Sequence, residues 1–163
     1  AVSRTMTLLT TAGGASSPHR PTTPLAPDAI DAALDQLDLQ PIPALKTLKR
    51  VAYHDACHLA HAQGVRAEPR RLLAQVPGLE VVELSDCDTC CGSAGTYNIE
   101  QPEIAENLGK RKAQNVINTA ASAVVSGNIG CLVQIEKHLR PWTDRVAVLH
   151  TVQILDRAYR EIL

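Results

Sequence analysis

Leu79-Glu-Val-Val-Glu-Leu84, followed by Ser85-Asp-Cys-Asp-Thr-Cys-Cys-Gly-Ser-Ala-Gly95, is the stretch on which the reading of this chain turns. The first six residues, set off by Pro77-Gly78, read as a strand. The next eleven read as a loop in which Cys87, Cys90 and Cys91 fall within five positions. A helical pattern then runs from about Pro102 to Asn118, with proline at its first turn. Thiols this dense on a glycine-bearing backbone suit zinc, iron–sulfur or redox chemistry far better than core packing.

The same strand–loop–helix unit recurs on either side. Arg50 to His54 reads as a strand, then comes a loop with Cys57 and a helix from about Glu68 to Gln75. Ala121 to Ser126 reads as a third strand, followed by Gly127-Asn-Ile-Gly130, Cys131 and a helix to about Leu139 that Pro141 stops. Arg145 to Leu149 reads as a fourth strand, followed by His150 and a helix from Val152 to Ile162. A further short helix is expected from Asp28, with Ile30, Ala33, Leu34 and Leu37 at helical spacing. The order βαβαβαβα implies an α/β fold of three layers: a mainly parallel four-stranded sheet with helices on both faces.

Composition agrees. The 163 residues are 45% hydrophobic with no Phe, one Trp and three Tyr, so the core must be built from Ala, Val, Leu and Ile. A formal net charge of −1 gives no bias toward nucleic acid or an anionic membrane surface. No apolar run approaches the roughly 20 residues needed to span a bilayer. Five cysteines, an odd number, argue against a closed disulfide framework and for a reducing compartment, hence a cytoplasmic location. Residues 1–27, rich in Thr, Ser, Pro and Gly, read as a flexible linker or tail in which His19 is solvated. Residues 28–163 read as a single domain. A chain that starts at Ala1 rather than Met is expected to be a fragment or a processed product.

Right-handed crossovers place every strand-to-helix loop at the carboxyl edge of such a sheet, where ligands bind. Cys57 follows the first strand, the Cys87–Cys91 group the second and Cys131 the third. With strands about 4.8 Å apart, Cys57, Cys91 and Cys131 should meet at that edge. Each loop also precedes a helix, whose N-terminal amides favour thiolate over thiol. His54, His58 and His61 have helical spacing and read as polar residues of the site rim, His58 being the candidate ligand among them. His138 reads as solvated beside Lys137 and Arg140, and Lys110-Arg111-Lys112 as an exposed helix face.

Three segments carry a resemblance: Tyr-His-Asp-Ala-Cys-His-Leu-Ala-His at 53–61, Cys-Cys-Gly-Ser-Ala-Gly-Thr-Tyr-Asn at 90–98, and Gly-Asn-Ile-Gly-Cys-Leu-Val-Gln at 127–134. In this order they resemble the CCG-type cysteine-rich domain, most of all the C-terminal copy in the iron–sulfur subunit of glycolate oxidase. Related domains occur in lactate-utilisation iron–sulfur proteins and in heterodisulfide reductase. The resemblance covers about Arg50 to Leu163. It implies a non-catalytic electron-transfer domain of a 2-hydroxy-acid oxidoreductase. Its partners would be flavin-containing oxidase subunits and other iron–sulfur domains, with peripheral attachment to the inner face of the membrane through the complex. The full family subunit also carries ferredoxin-like motifs and a first cysteine-rich copy, which this sequence does not contain.

Carried over by motif, the ligands are Cys57, Cys90, Cys91 and Cys131, holding an iron–sulfur cluster of the 4Fe-4S kind. The reductase pattern ends in Cys-x-x-Cys, whereas Gln134 stands at the last position here, which favours a four-thiolate site. Cys87 and His58 are additional candidate ligands. Two alternatives stay open: a structural zinc module for subunit assembly, and a thiol–disulfide protein using Cys87 and Cys90.

Overall fold

The computed structural model describes residues 30–37, 39–142 and 144–160. The linker or tail expected at 1–27, His19 included, lies outside the described residues. In order the elements are α1 (Ile30–Asp35), β1 (Arg50–Tyr53), a π-helical turn (His58–Ala62), α2 (Ala67–Ala74), β2 (Glu80–Glu83), α3 (Tyr97–Glu100), α4 (Pro102–Asn118), β3 (Ala123–Ser126), α5 (Ile129–Leu139), a 3-10 turn (Arg140–Trp142), β4 (Ala147–His150) and α6 (Thr151–Arg160). The expected α/β alternation is present. The unforeseen elements are the π-helical turn after Cys57, the one-turn helix α3 ahead of Pro102 and the 3-10 turn at Arg140–Trp142.

The sheet is four-stranded and parallel throughout, in the order β2-β1-β3-β4. Its register pairs Ala52 with both Val82 and Val124, and Val124 with Val148. Successive side chains alternate between faces, and two cores result. Tyr53, Val125 and Leu149 face Leu72 and Leu73 of α2 and Ile154, Leu155 and Ala158 of α6. Ala52 and Val124 face Ala113 and Val116 of α4 and Ile135 and Leu139 of α5. Small alanines on this second face let the helices lie close, which a sequence without Phe requires to reach native packing density.

The strand order fixes where a site can form. The chain leaves β1 through α2 to β2, then returns across β1 through α4 to β3. The loops after the neighbouring strands β1 and β3 therefore depart toward opposite faces, and the crevice between them is the position where open parallel sheets bind ligands. Cys57 and Cys131 follow these two strands.

Candidate metal centre

Each cysteine segment is held by a local device. Cys57 is the residue that opens the π-helical turn. Cys131 lies in the first turn of α5, where the Asn128 side chain caps the helix by accepting from the Cys131 amide at 3.1 Å. The 85–91 loop is clamped by α4. Arg111 donates to the Asp86 carboxylate, Lys112 Nζ to the Asp86 carbonyl and Asn115 Nδ2 to the Ser85 carbonyl at 2.7 Å. Asp86 takes a left-handed backbone at φ 54°, a conformation aspartate tolerates better than most residues.

Of Lys110-Arg111-Lys112, expected as an exposed face, the first two are exposed, but Lys112 is only 2% exposed. Ala105, Gly109, Lys112, Ala113 and Val116 recur at helical spacing on the buried side of α4. Burial lowers the pKa of Lys112, while the thiols of Cys91 and Cys87 and the Asp86 carboxylate push the other way. A cation thus lies under the cysteine loop. His138, expected in solvent, is likewise buried between α5 and α4, with Gln134 Nε2 3.4 Å from its Nε2.

Gly92 explains how close the loop comes to α4. Its φ is +93°, and a Cβ there would stand 2.6 Å from the Ala105 carbonyl oxygen, so only glycine fits. The loop also reaches the start of α5: a Cβ on Gly130 would lie 3.7 Å from Ser93 Oγ.

At the carboxyl edge the cysteines follow one another as neighbours. Cys57 borders Cys90, Cys90 borders Cys91, and the Cys91 and Cys131 sulfurs lie within 4.8 Å of each other and of a His54 ring nitrogen. Cys91 and Cys131 are buried, Cys57 and Cys90 half-buried, and all five thiols are free. The Gly92 amide donates to Cys90 Sγ at 3.3 Å, and Ser93 Oγ lies 3.1 Å from Cys91 Sγ.

Cys87 belongs to a second group. Its sulfur faces Asp55 and Glu83, whose carboxylates the Arg70 guanidinium bridges at 2.7 and 2.6 Å, and it donates to Asp88 Oδ1 at 3.2 Å. His58 is exposed at the head of its turn and belongs to neither group.

At Cys57, Cys87 and Cys90 the surroundings oppose the thiolate. The Cys91 thiol beside it and burial push Cys90 up to about 12. Burial, then the neighbouring Cys90, raises Cys57, and burial, then Asp88, raises Cys87. Crowded thiols hold their protons until a cation compensates the charge.

His54 is more than the rim residue its spacing suggests. It is fully buried, and among the described residues neither ring nitrogen has a hydrogen-bond partner. Ser126 Oγ, one register step past Val125, is buried and unpartnered as well. Orphaned buried polar groups cost about 1–3 kcal/mol each, and His54, orphaned beside the sulfurs of Cys91 and Cys131, marks a place built around something polar. This donor set fits a soft or borderline metal, alone or in a cluster.

The family model described as CCG, a cysteine-rich domain, matches residues 51–136, from the start of β1 to the middle of α5. This chain belongs to the CCG cysteine-rich domain family. Over 129 residues it is 38% identical to a subunit of the fumarate reductase (CoM/CoB) of Methanothermobacter marburgensis, covering 78% of this chain and 25% of that one. It is 40% identical over 107 residues to "Lactate utilization protein A" of Oceanobacillus iheyensis, covering 66% of this chain and 44% of the relative. It is 34% identical over 110 residues to "Lactate utilization protein A 2" of Bacillus cereus, covering 68% and 46%. The chain therefore spans less than half the length of each of these relatives. No helix among the described residues is long and apolar enough to cross a membrane.

Proposed function

We propose that this CCG domain is an electron-transfer module that holds an iron–sulfur cluster, of the 4Fe-4S kind, within a glycolate or related 2-hydroxy-acid oxidoreductase. Cys57, Cys90, Cys91 and Cys131 are its ligands. The observation that carries the reading is the meeting of four sulfurs from three segments beside the β1–β3 crevice. Relatives named for lactate utilisation and for fumarate reduction support an oxidoreductase setting. When bound, the cluster supplies a one-electron carrier.

The chain's own residues would set its potential. The Gly92 amide on Cys90 and the Ser93 hydroxyl beside Cys91 stabilise negative charge on sulfur, as does the buried Lys112 ammonium. Electrons would arrive from a flavin-containing subunit or another iron–sulfur domain, in a cytoplasmic complex attached peripherally to the membrane. Cys87 faces Asp55 and Glu83 while Cys90 borders Cys57 and Cys91, which speaks against the thiol–disulfide alternative. A zinc module is the second reading, favoured by the nearness of the His54 nitrogen to two sulfurs, a mixed set that zinc accepts.

Anaerobic reconstitution with iron and sulfide, followed by metal and sulfide analysis and EPR, tests the proposal. Iron with matching sulfide, about four of each per chain, and a reversible redox signal are expected. Stable zinc with no sulfide uptake would leave the structural module as the function.

A further inference from the structure

We infer that His54 is itself a metal ligand, binding through a ring nitrogen beside the sulfurs of Cys91 and Cys131. This rests on the reading of the cysteine cluster as a metal centre and adds a nitrogen donor to a set otherwise composed of sulfur.

Strand geometry points the side chain at the site. Side chains alternate across the sheet. Tyr53 lies on the α2/α6 face and Ala52 on the α4/α5 face. His54, whose amide still donates to the Val125 carbonyl at 2.9 Å, continues β1 by one step and turns to the face of Ala52. Cys91 and Cys131 belong to that same face.

Distance and burial then narrow the role. Two sulfurs each about 2.3 Å from a tetrahedral ion stand roughly 3.8 Å apart. Here one atom each of His54, Cys91 and Cys131 lies within 4.8 Å of the other two, so a shared ion needs only a small closure. A histidine serving the core alone would hydrogen-bond through at least one nitrogen, and among the described residues His54 bonds through neither. A ligating histidine usually hands its second nitrogen to an oxygen partner. Ser126 Oγ, buried and unpartnered at the matching position of β3, is the candidate for that task.

The test loads the 163-residue chain anaerobically with cobalt(II), and separately with iron and sulfide, after labelling its histidines with 15N. Pulsed EPR of the wild-type chain should show a nitrogen strongly coupled to the metal. His54→Ala should lose that coupling and hold cobalt at least tenfold more weakly, since outer partners alone are worth about 10–100-fold. His54→Cys should bind tightly again without any nitrogen coupling. Circular dichroism of each metal-free variant checks that the fold persists. Full metal uptake by the wild-type chain without nitrogen coupling overturns the His54 assignment and leaves the cysteine site standing. Coupling that survives in His54→Ala belongs to another histidine and overturns it equally. A wild-type chain that takes up neither cobalt nor iron overturns the metal centre itself, and the role of His54 with it.

Discussion

Gly109 on α4 lies against the imidazole of His138 on α5 so closely that a methyl group in place of its hydrogen would stand 2.1 Å from His138 Cδ2. The His138 side chain is 4% exposed. Gly109→Ala should therefore destabilise the chain. Overpacking of about 1–3 kcal/mol outweighs the ~1 kcal/mol that alanine gains over glycine in a helix. Removing the ring should relieve the clash, so the Gly109→Ala, His138→Ala pair should cost less than the sum of its parts in urea melts. Strict additivity would show that the two helices do not touch there.

The same histidine predicts a pH dependence. Burial lowers its pKa, with Lys137 and Lys110 acting in the same direction and Glu106, 3.7 Å away, opposing them. The unfolded chain binds the proton more readily, so this contribution is present above the ordinary value of about 6.5. It is lost as pH falls from there toward the folded value. Urea midpoints at pH 8 and pH 5.5 should show the loss, and His138→Gln should flatten the part of the slope due to this group.

Metal retention should divide the cysteines. Cys91→Ser and Cys131→Ser replace buried soft donors with a harder, less acidic oxygen, and each should hold less than about a tenth of the wild-type metal. Cys87→Ser should retain most of it, because Cys87 sits with Asp55 and Glu83 in the other group. Metal per chain after anaerobic gel filtration gives the answer, and equal loss in all three would make Cys87 a ligand.

Gly92→Ala should be worse than Gly109→Ala. Its added methyl meets the Ala105 backbone oxygen at 2.6 Å, and the residue must also hold φ +93°. Backbone cannot step aside as a ring can, so a loss of about 3 kcal/mol or weaker metal retention is expected. Thermal melts with and without metal separate the two effects.

Arg70 binds the carboxylates of Asp55 and Glu83 at once and lies over the Tyr53 ring at 4.7 Å. The Asp55 side chain is 4% exposed, so Arg70→Met leaves a buried carboxylate without its counter-charge. The cost should approach ~3 kcal/mol, at the low end for a broken buried pair because Arg70 itself is partly solvated. Arg70→Lys should restore only a fraction, since an ammonium cannot bridge two carboxylates in plane. Chemical denaturation measures both.

Much of this is legible in the sequence because period and punctuation agree. Apolar runs of four to six residues alternate with helical patterns, and prolines mark the breaks. The convergence of Cys57, Cys91 and Cys131 follows from that alternation alone, since equivalent loops must share an edge. Three buried polar residues escape such a reading. Lys112 and His138 have charged neighbours in sequence that suggest solvent, although both stand at core positions of their helices. His54 has helical spacing to two other histidines, yet it ends a strand, where a period of two applies and turns it inward. Which thiols stay protonated depends on neighbours brought close by the fold, as when Cys91 raises Cys90, and loop position alone does not reveal it.

The donors proposed for this centre lie far apart along the chain, at 54 and 57, at 90 and 91, and at 131. A growing polypeptide therefore cannot complete the centre until β3 has docked on β1 and α5 has begun to form. Until then the early thiols wait in a partly assembled sheet, exposed to oxidants and to stray metal. Pairing between distant parallel strands is slow, so the vulnerable interval lies in synthesis and folding rather than in the finished protein. Cellular redox conditions and metal supply during that interval would decide how many chains mature correctly.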